Sequence, residues 1–225
     1  MAILKSAVFD GALIRVLNQG DVLAAGEIIN PLVTVGSGVL TAALLLGGII
    51  NRTGSVGAYA DTTDSAANII NGMIANYPYV APNTGISSGA AVMSGTTVRL
   101  RFINTVAFAD TIAAGTGVTL VNPVVNASSV KDFLLTVTNG TPTQVFAGNQ
   151  TNASAVITGM SQFQTSQLSV GMLVTGTNIQ AASTIASIQV GVGVTLSLPV
   201  TATLALNTLT FSPTVTLTGL GQGLL

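Results

Sequence analysis

Apolar and polar residues alternate with period two along most of this chain, and one stretch switches to the helical period. In "TTVRLRFIN", Val98, Leu100 and Phe102 fall on one side of an extended strand and Arg99 and Arg101 on the other. In "DFLLTVTN", Phe133, Leu135 and Val137 share a face. Near the N-terminus, "ALIRVL" puts Leu13, Arg15 and Leu17 on one face of a strand and Ala12, Ile14 and Val16 on the other. Beyond residue 147, "SAVITGM", "GMLVTGT", "STIASIQV", "VTLSL", "ATLALNTLTF" and "TVTLTGL" follow at short intervals, separated by Gly, Asn or Pro. The exception is "DTTDSAANIINGMIANYP". Its Ala66, Ile69, Ile70, Met73 and Ile74 repeat at i, i+3, i+4, i+7 and i+8, which makes one stripe of an α-helix. Thr62 or Thr63 is placed to cap that helix, Asp64 lies near its positive end, and Pro78 stops it.

These elements predict a mainly β protein of antiparallel β-sandwich or barrel modules with one short amphipathic helix. Three regions separate: an N-terminal β arm over 1–56, a β-rich domain with the helix over 57–146, and an all-β module over 147–225. The uncharged run "PLVTVGSGVLTAALLLGGII", residues 31–50, has the length of a membrane span. Its Thr, Ser and Gly residues, and the lack of Trp or Tyr at its ends, favour two buried strands joined at "GSG" instead. No membrane is expected as a partner, and Asp10 and Arg15 interrupt the apolar region that an export signal needs.

Charge changes the picture more than length does. Charged residues make up 6% of the 225, where about 25% is usual, and the net charge is −1. With a mean hydropathy of +0.70 the chain is too apolar for disorder. Residues 133–225 carry no ionisable side chain, and Thr and Ser stand where surface charges normally do. Exposed strand edges are usually protected by Lys, Pro or inward-pointing charges. Here their closure has to come from a barrel, a tight sandwich or neighbouring subunits.

Candidate chemistry is sparse. Six scattered Lys and Arg form no basic stripe, so nucleic acid is not expected. Without Cys or His there are no disulfides, no thiolate metal sites and no Ser-His or Cys-His nucleophiles, and no cofactor or metal is expected. Asp61 and Asp64, the closest acid pair in sequence, are read as helix-capping groups. Lys5 beside Ser6, and Lys131 near Ser128 and Ser129, are read as surface lysines, not Ser-Lys dyads. "GLGQG" and "GTGVTL" are read as turn glycines. Arg99 and Arg101, two cations on one strand face, are placed to pair with Asp110 or with a partner's carboxylates.

Two stretches resemble virion proteins of tailed bacteriophages. "NRTGSVGAYADTTDSAANIINGMI", followed by "LRFINTVAFADTIAAGTGVTL" and "DFLLTVTNGTP", is similar to a domain of head-decoration and head-fibre type proteins. "LSVGMLVTGTNIQAASTIASIQVGVGVTLSLPVTATLALNTLTF" resembles a β module of phage structural and adhesive proteins. That module often reads Ile-Pro-Ala-Gly where this chain has Ile179, Gln180, Ala181 and Ala182. The resemblance implies a capsid decoration or cement protein on the outer surface of the virion. Such a protein would be a homotrimer or homodimer bound to the major capsid protein, stabilising the head shell by bridging capsomers. A phage fibre or receptor-binding adhesin is the alternative. No catalytic residue or cofactor is implied, so no enzyme is expected. The residues expected at the capsid or partner contact are Leu13, Arg15, Leu17, Val39, Leu44, Ile49, Arg99 and Arg101.

Overall fold

The computed structural model describes residues 7–10, 13–16, 28–54, 56–76 and 92–225. An antiparallel hairpin of β1 (Ala7–Asp10) and β2 (Leu13–Val16) stands where "ALIRVL" predicts a strand. Leu17 lies outside the described residues. After β3 (Ile28–Leu32), the apolar run expected as two strands divides into a loop, β4 (Val39–Leu40), α1 (Ala42–Leu46) and β5 (Gly48–Arg52). The helix forms because Thr41 caps it, its side chain accepting from Leu44 N at 3.3 Å, and because Ala-Ala-Leu-Leu-Leu has high helix propensity.

β6 (Thr62–Thr63) leads into α2 (Ala66–Asn76), which buries Ala66, Ile69, Ile70 and Met73, the stripe its spacing predicts. Thr62 and Thr63 do not cap it. Pairing with β4 holds them extended, and the Ser65 hydroxyl accepts from Asn68 N at 3.2 Å in their place. Pro78 lies outside the described residues. The chain continues through β7 (Thr97–Asn104), β8 (Asp110–Thr111), β9 (Val118–Val121), β10 (Val124–Val125) and β11 (Ser129–Asn139). It then enters β12 (Gln144–Gln150), β13 (Val156–Thr158), α3 (Gln162–Ser166), β14 (Leu173–Gly176), β15 (Ile185–Gln189), β16 (Gly193–Leu196), β17 (Leu204–Ser212) and β18 (Thr214–Leu224).

A mixed six-stranded sheet has the order β3-β5-β7-β11-β18-β9. Its central β7/β11 and β11/β18 pairs are antiparallel, as expected, while its β3/β5, β5/β7 and β9/β18 pairs are parallel. Parallel neighbours need crossover connections, and α1 and α2 lie within the first two of these. Strands β4, β6, β8 and β10 make a second layer of short pairs, stitched by bridges Tyr59 to Asp110 and Thr62 to Ala113. Leu40, Ile112 and Val125 of that layer share one core with Ile50, Phe102, Phe133 and Leu217 of the large sheet and with the α2 stripe. The expected boundary at 56/57 therefore falls inside a single sandwich-like unit, because β5 and α2 bury against each other's neighbours.

The second sheet, β14-β17-β12-β13-β16-β15, is antiparallel throughout and surrounds a separate core that includes Ile157, Met172, Val174, Leu209 and Phe211. Its two outer strands meet: Ile185 N donates to Met172 O at 2.9 Å and Val174 N to Ser183 O at 2.8 Å. The sheet thereby closes into a small barrel, which supplies the edge protection that its sequence lacks. The barrel is inserted between two neighbouring strands of the sandwich. β11 runs into β12 and β17 returns into β18, the two antiparallel pairs forming one ribbon with Asn139 opposite Thr214 and Gln144 opposite Phe211. β18, expected in the C-terminal module, thus belongs to the first sheet, where Val215 and Leu217 fill its core.

Candidate functional site

The most organised polar arrangement among the described residues lies at the end of the sandwich farthest along β11 from the barrel. Arg52 ends β5 in phase with Ile50 and so turns inward. Its Nε sits 3.0 Å from Asp61 Oδ2, and both side chains are 0% exposed. Its Nη1 donates to Thr34 O at 2.6 Å and Thr34 Oγ1 at 3.0 Å, and its Nη2 to Gly36 O. Asp61 Oδ1 accepts from Gly38 N at 2.6 Å. Asp110 begins β8, is 0% exposed, and accepts from Asp61 N at 3.1 Å through Oδ1. Tyr59 stacks under the guanidinium, 4.2 Å from ring centroid to Cζ, and its hydroxyl donates to Asn104 Oδ1 at 2.9 Å.

Burial pushes the Asp110 carboxyl up to about 7, with the Asp61 charge adding and Arg52 opposing. Burial likewise pushes the Tyr59 phenol up to about 12, with Asp110 adding. The Arg52–Asp61 contact lacks hydrogen-bond geometry: Arg52 Nε, Asp61 Oδ2 and Asp110 Oδ2 have no hydrogen-bond partner. Arg52, Asp61, Asn104 and Asp110 all come from the stretches quoted above, yet the sequence singles out only Asp61, as a helix cap, and Asp110, as a partner for Arg99 and Arg101. Asp64 does serve near helix ends, accepting from Ser65 N at 2.8 Å, Asn68 Nδ2 at 2.7 Å and, at the start of α1, Ala42 N at 3.1 Å.

Lys131, expected at the surface, is buried on the inner face of β11. It is in phase with Phe133 and Leu135, a parity visible in the sequence. Its Nζ donates to Asn122 O and Val124 O, each at 2.7 Å, and burial pushes its ammonium below the ordinary value. Ser129 Oγ is engaged elsewhere, donating to Asn126 O at 2.7 Å, so the residues do not form a Ser-Lys dyad. On the outer face, Arg99 and Arg101 converge on Asp132, not on Asp110, at 2.5 and 2.9 Å. Register decides this, since Asp132 lies directly opposite Arg101 while Asp110 is inside the core. The hydrogen bond from Arg101, helped by Arg99 and opposed by burial, holds the Asp132 carboxyl below its usual range.

The remaining expected contact residues divide. Val39 is exposed, Ile49 is buried, and Leu44 is half-buried against the first core. Leu13 and Arg15 lie in β2 with no described side-chain environment. Exposed apolar side chains also stand elsewhere, among them Val33 and Val35 on the loop that Arg52 holds, and Phe163 and Leu206 on the barrel, the last with φ of 51° in a strand irregularity. Among the described residues no group of three or more acidic side chains is placed to hold a metal, and no helix is long and apolar enough to cross a membrane. No protein-family model, curated protein or solved structure matches the chain.

Proposed function

We propose that this chain is a structural virion protein, a capsid decoration or cement protein that stabilises a head shell by bridging capsomers. One observation carries the reading beyond the sequence resemblance. Of the eight charged residues after position 27, Arg52, Asp61, Asp110 and Lys131 are buried, and Arg99, Arg101 and Asp132 are spent on one another. Among the described residues after position 27 the solvent face is consequently almost without ionic protection, while Val33, Val35, Phe163 and Leu206 stand between 64% and 73% exposed. Such a surface favours association over life as a free particle. Because the barrel closes its own edges, the assembly contacts of this reading fall on side-chain surfaces and on the sandwich, not on open barrel strands.

The test is co-sedimentation of the purified chain with shells assembled from a major capsid protein, with the heat resistance of the shells measured at increasing occupancy. Saturable binding at hundreds of copies per shell, with raised resistance, supports cementing. A handful of copies per native particle indicates the fibre or adhesin reading, which the exposed Phe163 and Leu206 of the inserted barrel favour. A stable monomer with no affinity for shells or particles overturns both.

A further inference from the structure

We infer that the buried Asp110 holds a proton, and that this proton keeps the loop 33–38 latched to the sandwich through Arg52 and Asp61, so that its loss frees the loop. Asp61 Oδ2 and Asp110 Oδ2 are both buried without a hydrogen-bond partner. Asp110 Oδ1 accepts from Asp61 N at 3.1 Å, which sets a second carboxyl against the buried Arg52–Asp61 pair. Charge balance points the same way. Among the described residues, the titratable groups facing Asp110 are Asp61 from the segment before β6, Arg52 from β5, and Tyr59. With a proton on Asp110 the centre is neutral; without it, a net negative charge sits where Arg52, Asp61 and Asp110 are all 0% exposed.

The loop depends on the same groups. Arg52 binds the carbonyls of Thr34 and Gly36, and Asp61 receives Gly38 N. A second negative carboxylate competes with Asp61 for Arg52 and repels Asp61 from Gly38. The Asp110 carboxyl is raised above its unfolded value, so the stabilisation it contributes is complete below about pH 4. It diminishes as pH rises towards about 7 and is gone above that.

Two measurements on the full chain test this. The side-chain carboxyl carbon resonance of Asp110 should titrate near neutrality, and hydrogen-exchange protection of the Gly38 and Asp61 amides should fall by up to about tenfold per pH unit towards pH 7, then level off. In Asp110→Asn, which keeps an acceptor for Asp61 N, that protection should be independent of pH over the same range. A wild-type Asp110 resonance that titrates in the ordinary carboxylate range overturns the inference, as does an Asp110→Asn protein that keeps the wild-type slope. If Asp110→Asn does not fold, the wild-type titration decides alone.

Discussion

Replacing Arg52 with Met tests how much of the sandwich rests on its buried ionic centre. The substitution keeps an unbranched apolar stem but removes the ion pair to Asp61 at 3.0 Å and the donors to the Leu32, Thr34 and Gly36 carbonyls. Stranding one partner of a buried pair costs about 3–5 kcal/mol. Against a typical stability of about 5–15 kcal/mol, that brings the sandwich to the margin of folding. Asp61→Asn should cost a similar amount by stranding Arg52. The double variant Arg52→Met/Asp61→Asn buries no ionised partner for either, so its destabilisation should fall short of the sum of the singles by about 2 kcal/mol or more. Urea unfolding at about pH 5, where Asp110 keeps its proton, followed by circular dichroism and tyrosine fluorescence, measures all three. Because the barrel has its own core, its transition should not move. A loss below about 1 kcal/mol in Arg52→Met, or additivity within about 0.5 kcal/mol, refutes the argument that these charges depend on each other.

Three further outcomes are expected. Ala182 has φ of 61°, a left-handed conformation, at the position where the resembling module has glycine; Ala182→Gly should raise barrel stability by about 1 kcal/mol, and a lowered melting temperature would count against that strain. At Gly140, a Cβ would fall inside the contact distance of the Val92 carbonyl, a backbone group that cannot turn aside, so Gly140→Ala should cost about 1–3 kcal/mol in urea unfolding. Asp64→Ala should cost about 1 kcal/mol at neutral pH through lost helix-end hydrogen bonds. Burial raises the Asp64 carboxyl, but the hydrogen bonds from Asn68, Ser65 and Ala42 outweigh it and hold the group below its ordinary value. The advantage of the wild type should therefore vanish as pH falls through that lowered value, and stability curves that stay parallel in acid would contradict it.

Individual elements were legible wherever the signal was local. The α2 stripe, the inward Val98, Leu100 and Phe102 of β7, and the six strand-like runs after residue 147 all stand where periodicity places them. Lys131 was equally legible by parity and was missed because a lysine is ordinarily solvated. The helix α1 was missed because a short apolar run reads alike as a buried strand or a buried helix, and only the Thr41 cap separates them.

What the sequence alone determined is the β-rich class, the one amphipathic helix and the scarcity of surface charge, since each depends on residues within a few positions of one another or on simple composition. Tertiary structure decided the parallel pairs, the return of β18 to the first sheet, the closure of the barrel and the meeting of Arg52, Asp61 and Asp110. Asp61 and Asp110 are 49 residues apart, and nothing in either one's neighbourhood names the other. Their approach is fixed by strands that cross the sandwich, and by the free-energy cost that burial imposes on any charge left without a partner.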